Sequence, residues 1–552
     1  MADFSVASVF SDSCVLQRDK DICIFGFADD GECVSVKILD GGRTFDENSG
    51  ESIGGKWSVH LKPMPAMENL VLEISCKNVV KRFSNVAVGE VWLAGGQSNM
   101  EFELQNCTEG PAELEMDEDP NVRFFAANKK AWMDEKFFED EKKCAWRMWN
   151  SGEKKNWSAV GYFFAKKLAH DLGVTVGIIG CNWGGTSASA WTGRERLEKH
   201  SDLKIYLDEQ DEGTRGKSIE EQCAEYDEYE RTNTEWTKKC EALYRENPKI
   251  EWADVQKILG PSPWPGPKSC KNPYRPTGLH ECMIKRLAPY TLRGFIFYQG
   301  ESDDHRPNSY YTLFREMIEQ WRDDWNENLP MVFVQLPGNR YKQDRDFKNW
   351  CLIREAQTKI FRTVANTAMA VAADLGEYND IHPKAKKVLA ERMEAAALWL
   401  VYGLVGREMA NGPIFRSATS RSGTMELKFD FAESGFVLKE DSTTFENYRF
   451  LEKIQGNEVP SDFTGFEIAG SDRIYHPAKF KFGMGKENLD TITLSSDKVS
   501  NPIYARYAWY NYGPITVFGR NGIPLAPFRT SKDDSAPETA QDHADIQQIM
   551  EV

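Results

Sequence analysis

Five apolar runs of strand length recur between residues 91 and 376: VWLAGG (91–96), VGIIGCNWGG (176–185), GFIFYQG (294–300), MVFVQLP (331–337) and AMAVAADLG (368–376). Each ends in Gly, Pro or polar residues. A strand that is apolar at every position has no solvent face, so its sheet must be covered on both sides. Between the runs lie stretches with helical spacing. In YYTLFREMIEQWRDDW (310–325), Phe314, Ile318, Trp321 and Trp325 recur at steps of four, three and four, which predicts a helix with one core-facing side. Strands alternating with helices predict an α/β domain built on a parallel sheet, over residues 88–410.

The regions on either side have a different rhythm. Residues 1–87 contain short alternating segments such as KWSVHL and CVSVKI, the pattern of strands with one buried face. Residues 411–530 return to that style, with TMELKFDF, GFEIAG and TITLSS. Both read as flanking β-sandwich-like regions, and residues 531–552 as a polar tail. A chain of 552 residues exceeds one ordinary core, consistent with such a division. Residues 196–280 interrupt the α/β pattern. Their first part is rich in Glu, Lys and Tyr and predicts solvated helix. The proline-rich PSPWPGPKSCKNPYRP that follows is incompatible with regular structure, and either shapes a pocket or bridges back to the sheet.

Charge and composition narrow the function. The formal net charge is -17, which makes phosphate backbones and anionic membrane surfaces poor partners. No run approaches the roughly 18 apolar residues of a membrane span. The opening MADFSVASVFSDSC lacks the basic and apolar regions of a signal peptide, so a cytoplasmic location is expected. The 12 cysteines include no CxxC pair and are expected to be free thiols. Histidines number 8 and form no zinc spacing, so neither metal nor cofactor is expected.

Chemistry concentrates where the apolar runs end. In open α/β sheets ligands bind at the carboxyl ends of strands. Gly95-Gly96-Gln97-Ser98-Asn99-Met100 follows the first run. It reads either as a Gly-Gly turn with a serine helix cap, or as a nucleophilic Ser98 whose backbone N–H faces an oxyanion. Cys181-Asn182-Trp183-Gly184-Gly185 ends the second run and could give a glycine N–H as a second donor. Phe297-Tyr298-Gln299-Gly300-Glu301-Ser302-Asp303 ends the third, and Gln299 could supply a third donor. His382, in Tyr378-Asn379-Asp380-Ile381-His382-Pro383, is the candidate base, because a serine hydroxyl needs one. Asp380 is the nearest carboxylate to orient it.

Five blocks in order, GGQSNMEFEL, NWGGTSASAW, RPTGLHECMIKRLAPYTLRGFIFYQGESD, IREAQ and NDIHP, resemble the sialate O-acetylesterase family of SGNH-type hydrolases. The resemblance implies a three-layer α/β/α fold, and a serine esterase that removes O-acetyl groups from carbohydrates through an acetyl-Ser98 intermediate. By the same resemblance Ser98 is nucleophile, His382 general base, and the oxyanion hole comprises Ser98, Gly185 (or Gly184) and Gln299. Gln97, Asn99, Trp183 and Glu301 become substrate-side candidates, with Glu301 and Arg354 also matching family blocks as an ion pair beneath the site. Many SGNH hydrolases carry Asp three residues before the histidine, where this chain has Asn379. The orienting carboxylate is therefore Asp380, or Asp374, or a Ser-His dyad operates.

The implied substrate is an acetylated sialic acid, or alternatively an acetylated hemicellulose oligosaccharide (xylan, xyloglucan or mannan). Trp183, Trp191, Trp264 and Tyr298 would offer stacking faces to a neutral sugar, while Arg275 and Arg306 would meet a sugar carboxylate. A non-catalytic carbohydrate-binding protein is the reading from another class.

Overall fold

The computed structural model describes residues 4–531 apart from 117–118, 120, 150–151, 248–249, 251, 342–345, 347, 441–452, 455–456 and 459–462. All but the first residue of the expected tail lies outside the described residues.

Seven strands and six helices frame the site. The strands are β1 (Val79–Gly96), β2 (Val122–Ala126), β3 (Trp146–Met148), β4 (Val176–Asn182), β5 (Gly294–Tyr298), β6 (Met331–Gln335) and β7 (Thr367–Val371). The helices are α1 (Ser98–Glu101), α2 (Ala159–Leu172), α3 (Ile219–Glu246), α4 (Tyr310–Trp325), α5 (Asn349–Thr363) and α6 (Lys386–Ala397). The strand order is β3-β2-β4-β1-β5-β6-β7. All neighbours are parallel except β3, which pairs antiparallel with β2 at the edge. Every residue of β4, β5, β6 and β7 is buried, which is why these segments read as unbroken apolar runs. The protein is thus of mixed α/β class.

Both faces of β1 are covered. Trp92 meets Phe164 of α2, with ring centroids 5.3 Å apart. A Cβ on Gly95 would fall 2.6 Å from Trp321 of α4. Residues three apart on a strand point to opposite faces, so α2 and α4 lie on opposite sides of the sheet. The predicted apolar face of α4 is inward, with Phe314, Ile318, Trp321 and Trp325 all buried.

β1 runs straight through the expected junction at residue 87/88. Its first half pairs antiparallel with Met67–Cys76 in the N-terminal β region, and its second half lies parallel to β4 and β5. Four of the N-terminal strands therefore continue the central sheet, while Ser5–Val6, Ile22–Phe27 and Lys56–Leu61 form a separate three-stranded sheet. The C-terminal region holds two four-stranded sheets. It is tied to α5 by Arg354, which donates to the carbonyls of Leu336, Pro337, Tyr510 and Asn511 at 2.8–3.0 Å. The Arg354–Glu301 ion pair expected from the sequence is therefore absent: the guanidinium is consumed by four backbone carbonyls.

The stretch expected to be helical insertion contains Ser201–Gly213, α3 and Trp252–Leu259. α3 opens on a capping box, with Ser218 and Glu221 each satisfying the other's backbone N–H.

Candidate active site

Ser98 begins α1 two residues beyond the end of β1. The turn that puts it there needs glycine: Gly96 has φ 134°, and a Cβ would fall 2.1 Å from the carbonyl oxygen of Tyr298. Gln97 locks the turn, donating its backbone N–H to Tyr298 and accepting the Ser302 N–H on Oε1 at 3.1 Å. Gln97 is buried and joins the first and third loops.

His382 reaches Ser98 from the loop after β7. Its Nε2 lies 2.8 Å from Ser98 Oγ. A neutral imidazole protonated on Nδ1 can accept the Ser98 proton at that distance. The His382 pKa is held below its ordinary value, first by burial and second by the nearby Lys386 ammonium; Asp380 and Glu101 oppose the shift. The ring is therefore neutral near pH 7 and can act as a base.

The orienting carboxylate does not appear where the sequence suggested. Asp380 Oδ1 accepts the backbone N–H of His382 at 2.9 Å. Asn379 adopts the left-handed conformation (φ 62°), and its N–H donates to Arg340 at 3.0 Å. This turn directs Asp380 Oδ1 to the main chain. Asp374 is held bidentate by Arg392 at 2.6 and 2.7 Å. Among the described residues, no carboxylate is hydrogen bonded to Nδ1 of His382.

Gln299 is likewise corrected. Both amide protons are used inside the protein: Nε2 donates to Asp303 Oδ2 at 2.6 Å and to the Thr186 carbonyl at 3.2 Å. Its Oε1 accepts from Tyr310 at 3.0 Å. A flipped amide would set its oxygen against a carboxylate and a carbonyl, so this orientation is chemically required. With no proton left, Gln299 is a positioning residue and not an oxyanion donor.

The glycine loop separates the two candidate N–H groups. Gly184 donates to Glu101 Oε2 at 2.7 Å, which engages it. Gly185 has φ 75° and sits against Tyr274, and its N–H meets no acceptor among the described residues. Ser98 is the first residue of α1, so its N–H has no intrahelical acceptor. Among the described residues, the Ser98 and Gly185 N–H groups are thus unengaged donors beside the nucleophile.

Beneath Ser98 lies a buried polar chain. Asn99 Nδ2 donates to Glu301 Oε1 at 2.6 Å and to the Ile381 carbonyl at 2.9 Å, while Lys386 donates to Asn99 Oδ1 at 2.5 Å. Burial pushes Glu301 up to about 7 and Lys386 down to about 7. Asn99 and Glu301 are therefore internal supports: one fixes the main chain beside His382, the other anchors it to the third loop. Both are too buried to touch substrate.

Of the proposed stacking residues, Trp191 and Tyr298 are core residues, whereas half-buried Trp183 and exposed Trp264 line an open cleft. Arg275 is taken up by the Ala131 and Cys270 carbonyls and Glu281, and Arg306 pairs with Glu209. Sequence reasoning passed over Asp303. It is fully buried and accepts from Ser187 Oγ (2.5 Å), the Ala188 N–H (2.9 Å), Gln299 (2.6 Å) and Tyr206 (3.2 Å). Its place at the end of YQGESD was the one available signal. Among the described residues, no group of three or more His, Cys, Asp or Glu side chains could hold a metal.

The loops after β1, β4, β5 and β7 thus converge on one serine-histidine pair at the carboxyl edge of the sheet. Residues 88–207 and 268–398 match the family model described as carbohydrate esterase, sialic acid-specific acetylesterase. The chain is 27% identical to the sialate O-acetylesterase of Mus musculus, over 80% of this chain and 82% of the mouse protein. It is 27% identical to that of Homo sapiens, over 97% and 94% of the two chains. The structure resembles that of a carbohydrate acetylesterase from Xanthomonas citri, with TM-score 0.72 and 25% identity, covering 96% of this chain and 100% of the other. The protein is a carbohydrate O-acetylesterase. Its α/β domain belongs to the sialic acid-specific acetylesterase family.

Proposed function

We propose that this enzyme removes O-acetyl groups from sialic acids by a two-step reaction on a three-layer SGNH-type α/β/α scaffold. Ser98 Oγ attacks the acetyl carbonyl carbon while its proton passes to His382 Nε2. The charge that develops on the carbonyl oxygen is met by the backbone N–H groups of Ser98 and Gly185. The tetrahedral intermediate collapses, and His382 returns the proton to the departing sugar oxygen. Water then attacks the acetyl-Ser98 ester, gives its proton to His382, and acetate leaves with Ser98 restored. Because Asp380 is bonded to the main chain, His382 and Ser98 work as a dyad whose ring is placed by the Asn99 bond to Ile381.

The observation that carries this reading is the 2.8 Å approach of His382 Nε2 to Ser98 Oγ, beside a turn that requires glycine at Gly96. Sialic acid is favoured as the sugar by the family model and the mammalian relatives. The test is acetate release from O-acetylated sialic acids and from acetylated xylan fragments. Wild type should prefer the sialic acids, and Ser98→Ala should lose about 10⁴-fold or more in kcat. Near-normal turnover by Ser98→Ala would end the reading, and preference for xylan fragments would replace the sugar.

A further inference from the structure

The family model matches residues on either side of 208–267 and leaves that stretch without a counterpart. Yet the stretch builds a wall of a cleft of about 870 Å³ that also takes in Trp183 of the glycine loop. The inner edge of the cleft is formed by Trp183 and Tyr274. Trp183 precedes Gly184, whose Cβ position is 3.2 Å from Ser98 Cβ, and Tyr274 packs 3.0 Å from the Cβ position of Gly185. The inner edge of the cleft therefore adjoins the glycine loop that packs against Ser98, although Ser98 and His382 do not themselves line it. Its outer wall is α3, with Tyr229 and Lys238, together with Trp264 of the proline-rich segment.

Trp264 is 55% exposed, yet firmly placed. Prolines at 263 and 265 restrict the backbone on both sides of it. Asn272 Nδ2 clamps the loop by donating to the carbonyls of Pro265 (3.3 Å) and Pro267 (2.9 Å). Gly266 rests on the ring of Tyr229, and the Trp264 ring stands edge-on to Tyr274 at 5.6 Å. A large indole held in solvent leaves apolar surface uncovered that a ligand would bury.

The surroundings say what kind of ligand. The lining mixes aromatic side chains, Trp264, Trp183 and Tyr229, with neutral polar and charged ones such as Asn233, Thr234, Asp227, Glu230 and Lys238. An acyl chain would want an apolar tunnel. A pyranose presents a C–H face for stacking and a rim of hydroxyls for hydrogen bonds, which this lining matches. The volume is near the top of the range for small-molecule sites, about 300–1,000 Å³, and exceeds what one sugar ring fills.

We infer that the cleft is a subsite for the sugar residue next to the acetylated one, so that the enzyme acts on O-acetylated sugars carried in a glycoside or oligosaccharide in preference to free acetylated monosaccharides. This rests on Ser98 being the residue that takes the acetyl group. Trp264 is the platform, and α3 supports it through Tyr229.

The test compares kcat/KM for one acetylated sialic acid as the free monosaccharide and as the terminal residue of a di- and a trisaccharide. The oligosaccharides should be favoured by about tenfold, equivalent to about 1.4 kcal/mol. Trp264→Ala should bring that ratio close to one, mainly through KM, and Trp264→Phe should keep part of it. Tyr229→Ala should erode it as well. The ratio is taken within one preparation, so partial unfolding lowers both terms and leaves it unchanged. A wild-type ratio within about twofold of one, or a full ratio in Trp264→Ala, would overturn the subsite. Failure of wild type to hydrolyse even p-nitrophenyl acetate would instead bring down the esterase reading and the subsite with it.

Discussion

The inner and outer parts of the site are built on different physical terms. At the inner end, Ser98, Asn99, Gln299, Asp303 and Glu301 belong to loops at the edge of a fully buried sheet, and each of these side chains has a named hydrogen-bond partner. At the outer end, α3 is mostly solvated, with only Gln222, Tyr226 and Cys240 buried along its length. The family model covers the first and omits the second. Reaction geometry tolerates little movement, so it sits on rigid, hydrogen-bonded loops. Recognition of the rest of the substrate can be added from an insertion, because stacking on an aromatic face needs no comparable alignment.

Substitutions at the two ends should therefore behave differently. The largest effect should come from His382→Ala, with kcat reduced about 10⁴-fold or more and thermal stability little changed, checked by acetate release and calorimetry. A modest loss would mean that another group serves as base. Asp303→Ala should come next. It strands four donors in a buried place and should cost about 3 kcal/mol of stability, lowering Tm and activity together in denaturation and rate measurements. Loss of activity at unchanged stability would move Asp303 from scaffold to chemistry.

The pH profile sharpens the same contrast. His382 must be neutral to accept the serine proton, and its pKa is lowered, so kcat/KM should be sustained below the ordinary histidine range and fall only as pH drops through the depressed value. Lys386→Met removes a neighbouring positive charge and should move that acid limb upward, as a pH-rate profile would reveal. An unmoved limb would show that burial alone sets the histidine. Asp380→Asn should have the smallest effect, within about threefold in kcat/KM, because Oδ1 can still accept the His382 N–H. A loss near 10⁴-fold would reinstate the triad.

Much of the scaffold was legible in the chain. The apolar runs became the parallel strands because a strand buried on both faces must be apolar throughout. The α4 pattern was borne out because helical spacing maps directly onto one face. Of the inferences that failed, two concerned partners and one concerned burial. Gln299 looked like a free donor because its sequence neighbourhood says nothing of Asp303 and Thr186, which occupy its protons. Glu301 was paired with Arg354 by block order, whereas the fold gives Arg354 to backbone carbonyls and leaves Glu301 to Asn99. Trp191 and Tyr298 resembled stacking faces until packing put them in the core.

What the sequence determined by itself was local: the strand-length runs, the glycines that only a tight turn accepts, and the serine and histidine at strand ends. The tertiary structure alone decided which donors remain unengaged beside Ser98, where Asp380 spends its oxygen, and that Trp264 and α3 flank the same cleft. Those outcomes depend on contacts between residues up to hundreds of positions apart, such as His382 with Ser98. A hydrogen bond is settled by the geometry of both partners, and a sequence lists each partner without its distance to the other.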